Sequence, residues 1–185
     1  MNTKLILSAA AVALLSACAS SGPMAPMTPY SQMALPDAVK VPEGHKVAME
    51  TVGMGEITYE CRVKAGTGMA DQMEWVFVGP DAALSDRRGR MVGKYFGPPA
   101  TWQSADGSKL TGAQVAVAPA GAGNIPHQLV KANPAMGAGA MTGISYIQRT
   151  ATKGGVAPSQ VCAPSNAGQR LVVKYQADYI FWKPA

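Results

Sequence analysis

The chain has 185 residues, 16 Lys and Arg against 11 Asp and Glu, and a formal net charge of +5. That length suits one domain able to bury its own core. The positive surplus is small and scattered, with no basic patch interleaved with aromatic residues, which excludes a nucleic-acid-binding surface.

The chain opens with a short secretion signal, in which Lys4 supplies the positive start and Leu5 to Leu15 form an apolar run broken only by Ser8. This run is too short to span a bilayer, which asks for roughly 20 apolar residues. Leu15-Ser16-Ala17-Cys18 resembles the bacterial lipoprotein box, in which the signal is cut just before a cysteine that carries diacylglycerol. On that reading residues 1–17 are removed and Cys18 is the lipid-attachment residue. Ala19, in place of Asp, directs the protein to the outer membrane, anchored by lipid and facing the periplasm. An ordinary secretory signal that happens to hold a cysteine is the alternative.

Residues 18–39 read as a flexible tether, because Ser20, Ser21, Gly22 and the prolines carry neither a period of 2 nor one of 3.6. Met24, Met27 and Met33 offer soft thioether ligands of the kind cuprous copper takes, but no His stands near them, and no metal or other cofactor is expected. Residues 40–185 form the single domain.

Its elements follow in order. Glu56 to Lys64 alternates, with Ile57, Tyr59, Cys61 and Val63 on one face and charged or polar residues on the other, the mark of a half-buried strand. Lys46 to Val52 is its expected hairpin partner across Gly53-Met54-Gly55. Glu74 to Val78 is a strand ended by Gly79-Pro80-Asp81, and Arg90 to Phe96 is another. Thr101 to Gln103 and Lys109 to Ala118 flank the Asp106-Gly107 turn. Ile125 to Ala132 is the one segment that reads as a short helix, with proline in its first turn. Met141 to Thr150 and Leu171 to Trp182 are strands, the latter interrupted near Gln176 to Asp178. The fold class is therefore all-β: a single β-sandwich or barrel-like domain with at most one short helix.

Three cysteines are odd in number for an oxidising compartment until Cys18 is assigned to lipid. Cys61 and Cys162 then make an even pair, and in the periplasm such a pair closes into a disulfide whose loop of about 100 residues is worth up to about 4.7 kcal/mol of chain entropy.

Several stretches together resemble the family catalogued as domain of unknown function 3455. They are Tyr59 and Cys61; Trp75-Val76-Phe77 with Pro80, Ala82, Leu84 and Asp86; Gly97-Pro98 with Thr101-Trp102; and Asp106-Gly107-Ser108. Further along come Tyr146-Ile147-Gln148-Arg149 with Thr152, Gly154, Gly155, Pro158 and Cys162, and then Ala177-Asp178-Tyr179. They cover about Lys40 to Trp182. Lys94 departs from the pattern, standing where many similar chains carry His, and Pro99-Ala100 lengthens the step between Gly-Pro and Thr-Trp. The resemblance implies a shared fold and a Cys61 to Cys162 bond, and no activity.

Catalytic constellations are weakly supported. His45 and His127 read as a solvated loop residue and a capping or packing imidazole. Ser104, His127 and Asp106 make a triad on paper only, without a Gly-x-Ser-x-Gly elbow. What remains is a polar and aromatic set suited to binding: Trp102, Gln103 and Asp106, with Arg149 and Asp178, the last two a candidate buried ion pair. The basic Arg87-Arg88-Gly89-Arg90 run reads as a solvated loop, or as a contact to anionic headgroups or polysaccharide. The function expected is a non-enzymatic binding or structural module of the cell envelope, held to the membrane by lipid and meeting envelope glycan or another envelope protein. A small hydrolase or lyase acting on envelope glycan is the alternative, and a metal or haem carrier the third reading.

Overall fold

A computed structural model describes residues 28–66, 69 and 71–185. The expected signal, Cys18 and the first part of the tether lie outside the described residues. The strands are β1 (His45–Val63), β2 (Met73–Ser85), β3 (Met91–Phe96), β4 (Thr101–Ser104), β5 (Lys109–Ala118), β6 (His127–Ala132), β7 (Tyr146–Gly154) and β8 (Arg170–Pro184). Each pairs antiparallel with the next, and β8 returns to β1, so the eight strands form one closed ring. The domain is all-β as expected, but it is one closed sheet rather than two packed sheets. Helix among the described residues is limited to two 3-10 turns, Asp37–Val39 and Pro164–Asn166.

Several expectations are corrected. The expected first hairpin is a single strand, β1, and Gly53-Met54-Gly55 is no turn. Neither glycine has a positive φ. Each instead lacks a side chain where something else must sit. A Cβ on Gly53 would lie 2.6 Å from the Tyr179 ring, and one on Gly55 would lie 2.1 Å from the Asp81 carbonyl oxygen. These glycines serve close approach, which a sequence cannot distinguish from a turn.

The strand Glu74 to Val78 likewise continues through Gly79-Pro80 to Ser85, with a register shift opposite Thr58/Tyr59 that leaves Val78 unpaired against β1. Nor is the last strand interrupted, and the strand expected from Met141 begins only at Tyr146.

The expected helix Ile125 to Ala132 is strand β6. Val130 faces the interior while Leu129 packs outside against Val39, Ile180 and Trp182, so both faces are covered and the period of 2 is hidden.

Leu129 is covered because residues 30–41 are no loose tether. Tyr30, Leu35, Val39 and Val41 lie over the outer face of the ring, and Val39 and Val41 are buried. Gln148, fully buried on β7, holds this strap. Its amide nitrogen donates to Gln32 Oε1 (2.9 Å) and to the Val39 carbonyl (2.7 Å). Its oxygen accepts from Trp182 Nε1 (2.9 Å) and the Tyr30 hydroxyl (3.3 Å). A buried amide with every group satisfied specifies one docking position, because any slip would strand polar atoms away from water.

Cys61 and Cys162 are disulfide-bonded, with Cα atoms 5.5 Å apart and a sequence separation of 101. The bond ties the β7–β8 connection to β1. Gly168 N donates to Cys61 O (2.8 Å) and Cys61 N to Gln169 O (2.9 Å), and Trp75 Nε1 donates to Gln160 O (2.6 Å).

Gln148→Ala should cost about 3 kcal/mol, since it leaves Trp182 Nε1 and the Val39 carbonyl unpaired under the strap. Denaturant unfolding measures the loss, and limited proteolysis should then cut within residues 30–40. Reduction of the disulfide should lower stability by about 3 kcal/mol while the far-ultraviolet sheet signal persists at room temperature.

Candidate functional site

Alternation sends every second side chain of each strand into the ring, and the filling differs between its two ends. The end that carries the β2–β3, β4–β5 and β6–β7 connections is apolar: Leu84, Leu110, Ile147 and Phe181 meet Met141 and Ile144 from the β6–β7 segment. Asp106 holds that segment in place. Its carboxylate accepts from Ser108 N (2.9 Å), Ser108 Oγ (2.6 Å) and Ala140 N (2.7 Å), and Ser108 Oγ in turn accepts from Met141 N (3.2 Å). The Ser108 hydroxyl first, then the Ala140 amide, keep the Asp106 carboxyl at about 2, below its ordinary 3.8.

Toward the other end the interior changes character. A cavity of about 380 Å³ has an aromatic and aliphatic wall of Phe77, Tyr95, Trp102 and Val130, and a polar wall of Gln114, Gln128 and Arg149. Tyr95 stacks on Trp102 with centroids 4.7 Å apart, and the Tyr179 ring lies 5.0 Å from Tyr95 and 6.1 Å from Trp102. Space for the Tyr179 ring exists because residue 53 is glycine. Trp102 is 1% exposed, and its indole N–H has no hydrogen-bond partner. Such an orphaned buried donor costs about 1–3 kcal/mol.

Arg149 stands opposite Gln128 on β6 and Tyr179 on β8. Its Nε and Nη2 both donate to the Pro126 carbonyl, at 3.2 and 3.0 Å. Among the described residues no carboxylate forms an ion pair with it. The tyrosines do not replace that counterion. Burial raises the hydroxyl pKa of Tyr59, Tyr95, Tyr175 and Tyr179, and for all four this outweighs the opposing pull of the Arg149 charge, so they stay neutral at pH 7. Gln128 Nε2 donates to Gln114 Oε1 at 2.7 Å, and the Tyr175 and Tyr179 hydroxyls lie 3.2 Å apart.

Of the five residues expected to bind, the structure brings together two, Trp102 and Arg149. Gln103 lines a separate cavity of about 380 Å³ with Lys94, whose ammonium sits 5.1 Å from the Phe96 ring centroid. Asp106 belongs to the β4–β5 turn. The expected Arg149 to Asp178 pair does not form, because Arg149 is opposite Tyr179 whereas Asp178 is opposite Thr150, one step out of phase and hence on the other face. Asp178 instead accepts from Arg87 Nη1 at 2.8 Å, and Arg87 Nε reaches Glu50 at 3.1 Å. These contacts, with Arg90 on Asp86 at 3.0 Å, balance much of the positive charge of the Arg87-Arg88-Gly89-Arg90 run. The paper triad falls apart as well: Ser104 and Asp106 border the β4–β5 turn, and His127 pairs with Ala118 at the far end of β5. Burial first, then the Arg149 charge, lowers the His127 pKa.

Tyr95, Gln114, Gln128 and Tyr179 were not among the candidates. Gln128 and Val130 share one face of β6, but that signal is lost when the segment is read as a helix. Among the described residues no group of three or more His, Cys, Asp or Glu side chains could hold a metal ion, and no helix is long and apolar enough to cross a membrane.

Asp106→Asn should destabilise the protein at neutral pH by loosening the β6–β7 segment. The sign of its pH dependence follows from the depressed pKa. The carboxylate stabilises the fold above about 3.8 and ceases to as pH falls toward about 2. The stability gap between wild type and variant, measured by denaturant unfolding at each pH, should therefore shrink through that window.

A family model described as "Protein of unknown function (DUF3455)" matches residues 42–183. No curated protein and no solved structure matches the chain.

Proposed function

The chain belongs to the DUF3455 family of proteins of unknown function, and from that premise we propose that it is a non-enzymatic binding module of the bacterial cell envelope. It is anchored by lipid at Cys18 on the periplasmic side of the outer membrane. Its ring takes a small ligand into the cavity between Trp102 and Arg149. One observation carries the reading: the cavity wall holds a guanidinium, that of Arg149, with no carboxylate partner among the described residues. Its free edge is left for a bound molecule to satisfy, in a concave site that sets a few polar groups beside aromatic and aliphatic side chains.

The same wall argues for binding over catalysis. None of its lining residues is a carboxylate, an imidazole or a thiol. Burial raises the pKa of the neighbouring Tyr95 and Tyr179 further above the physiological range, so neither is poised as a general base. Glycan cleavage would need two converging carboxyl groups. The envelope assignment is supported by the Leu15-Ser16-Ala17-Cys18 box and by the disulfide, which belongs to an oxidising compartment.

Cys18→Ser should keep its signal uncut and move from the membrane to the soluble fraction; a variant still fractionating with membranes overturns the anchor. The binding role is tested on 15N-labelled protein with a fragment panel containing neutral, cationic and anionic members, read at the assigned Trp102 indole N–H resonance. At least one class should shift it saturably. No shift from any class refutes the binding role.

A further inference from the structure

The chemistry of the cavity, taken as the binding site proposed above, points further, to the class of its ligand. We infer that it takes a small monocarboxylate with a flat ring, the carboxylate forked on Arg149 and the ring against Phe77.

The guanidinium narrows the choice first. A guanidinium has two edges able to fork a planar anion, one formed by Nε with Nη2 and one by the two Nη atoms. In Arg149 the Nε and Nη2 edge is spent on a single backbone oxygen, that of Pro126. This contact also fixes the plane of the group, so the remaining edge is already oriented. Its N–H geometry matches the two oxygens of a carboxylate. The charge count favours a monoanion, because Arg149 is the single charged side chain in the wall. A phosphate dianion would leave about one negative charge uncompensated in a half-enclosed site, where a second Lys or Arg is the common solution.

Aromatic and apolar surface makes up the opposite wall. Phe77, 51% exposed, presents a face suited to a flat ring, beside the buried Tyr95, Trp102 and Val130. The stacked pair of Tyr95 and Trp102 is itself held by Tyr179, so the wall is preorganised. A sugar acid fits less well, since its many hydroxyls need more partners than two glutamines offer, and the Gln128 and Gln114 amides already bond each other.

The test uses the full-length protein in a non-ionic detergent, titrated with sodium benzoate, benzamide, glucuronate and inorganic phosphate while the Trp102 indole resonance is followed. Benzoate should bind at least about tenfold tighter than benzamide, its neutral isostere, and tighter than glucuronate or phosphate. Arg149→Lys, which keeps the charge but loses the fork, should weaken benzoate about tenfold and leave benzamide within twofold. Equal affinities for benzoate and benzamide would overturn the carboxylate while leaving the binding role intact. Phosphate or glucuronate binding at least as tightly as benzoate would overturn the ring. Absence of binding by benzoate also overturns the inference, and the binding role then stands or falls on the other fragments. If Arg149→Lys fails to fold, the comparison of ligands on the wild-type protein decides.

Discussion

Pairing of β1 along both of its edges is the constraint on which the rest of the structure depends. It meets β8 from His45 to Glu60 and β2 from Val52 to Val63, so over Val52 to Glu60 the same residues serve two ladders. A strand shared in this way closes the sheet into a ring, although residues 73–80 of β2 and 112–118 of β5 carry a ladder on one edge only. It must also curve enough to serve both partners, which explains why small residues sit where neighbours press closest. Gly53 yields to the Tyr179 ring and Gly55 to the backbone of β2.

Closure divides the molecule into an inside and an outside, and the two are finished differently. Outside, the strap of residues 30–41 covers one sector and is located by Gln148, while Glu50, Arg87 and Asp178 form a partly exposed ion triad beside it. Partly exposed pairs of this kind contribute little each, so the covering of Leu129, Ile180 and Trp182 by the strap carries the larger share of stabilisation there. Inside, the Met141 and Ile144 plug fills one end, with Asp106 as its fastening.

The other end of the interior is kept polar at a cost. A guanidinium half removed from water and an indole N–H without a partner are both unfavourable to the free protein, and the apolar filling found at the first end would have avoided both. Such a departure from the cheapest packing is the mark expected of a functional site. The disulfide ties the β7–β8 connection to β1.

Composition and pattern by themselves determined the class of the fold. Alternation at Glu56 to Lys64 marked the strand that carries Cys61, Asp106-Gly107 marked a real turn, and the parity of the cysteines marked the bonded pair. What the sequence left undetermined has one physical origin: it records which residues are apolar, and not what presses against them. Gly53 and Gly55 look like a turn because close approach and positive φ both call for glycine. β6 looks like a helix because the strap buries the face that a strand would otherwise leave polar. Arg149 and Asp178 look like partners because opposite charges attract on paper, whereas the register of β7 against β8 sends them to opposite faces. Only the tertiary structure, by closing the ring, decided that Trp102 and Arg149 share a cavity, since inside and outside do not exist until β8 meets β1.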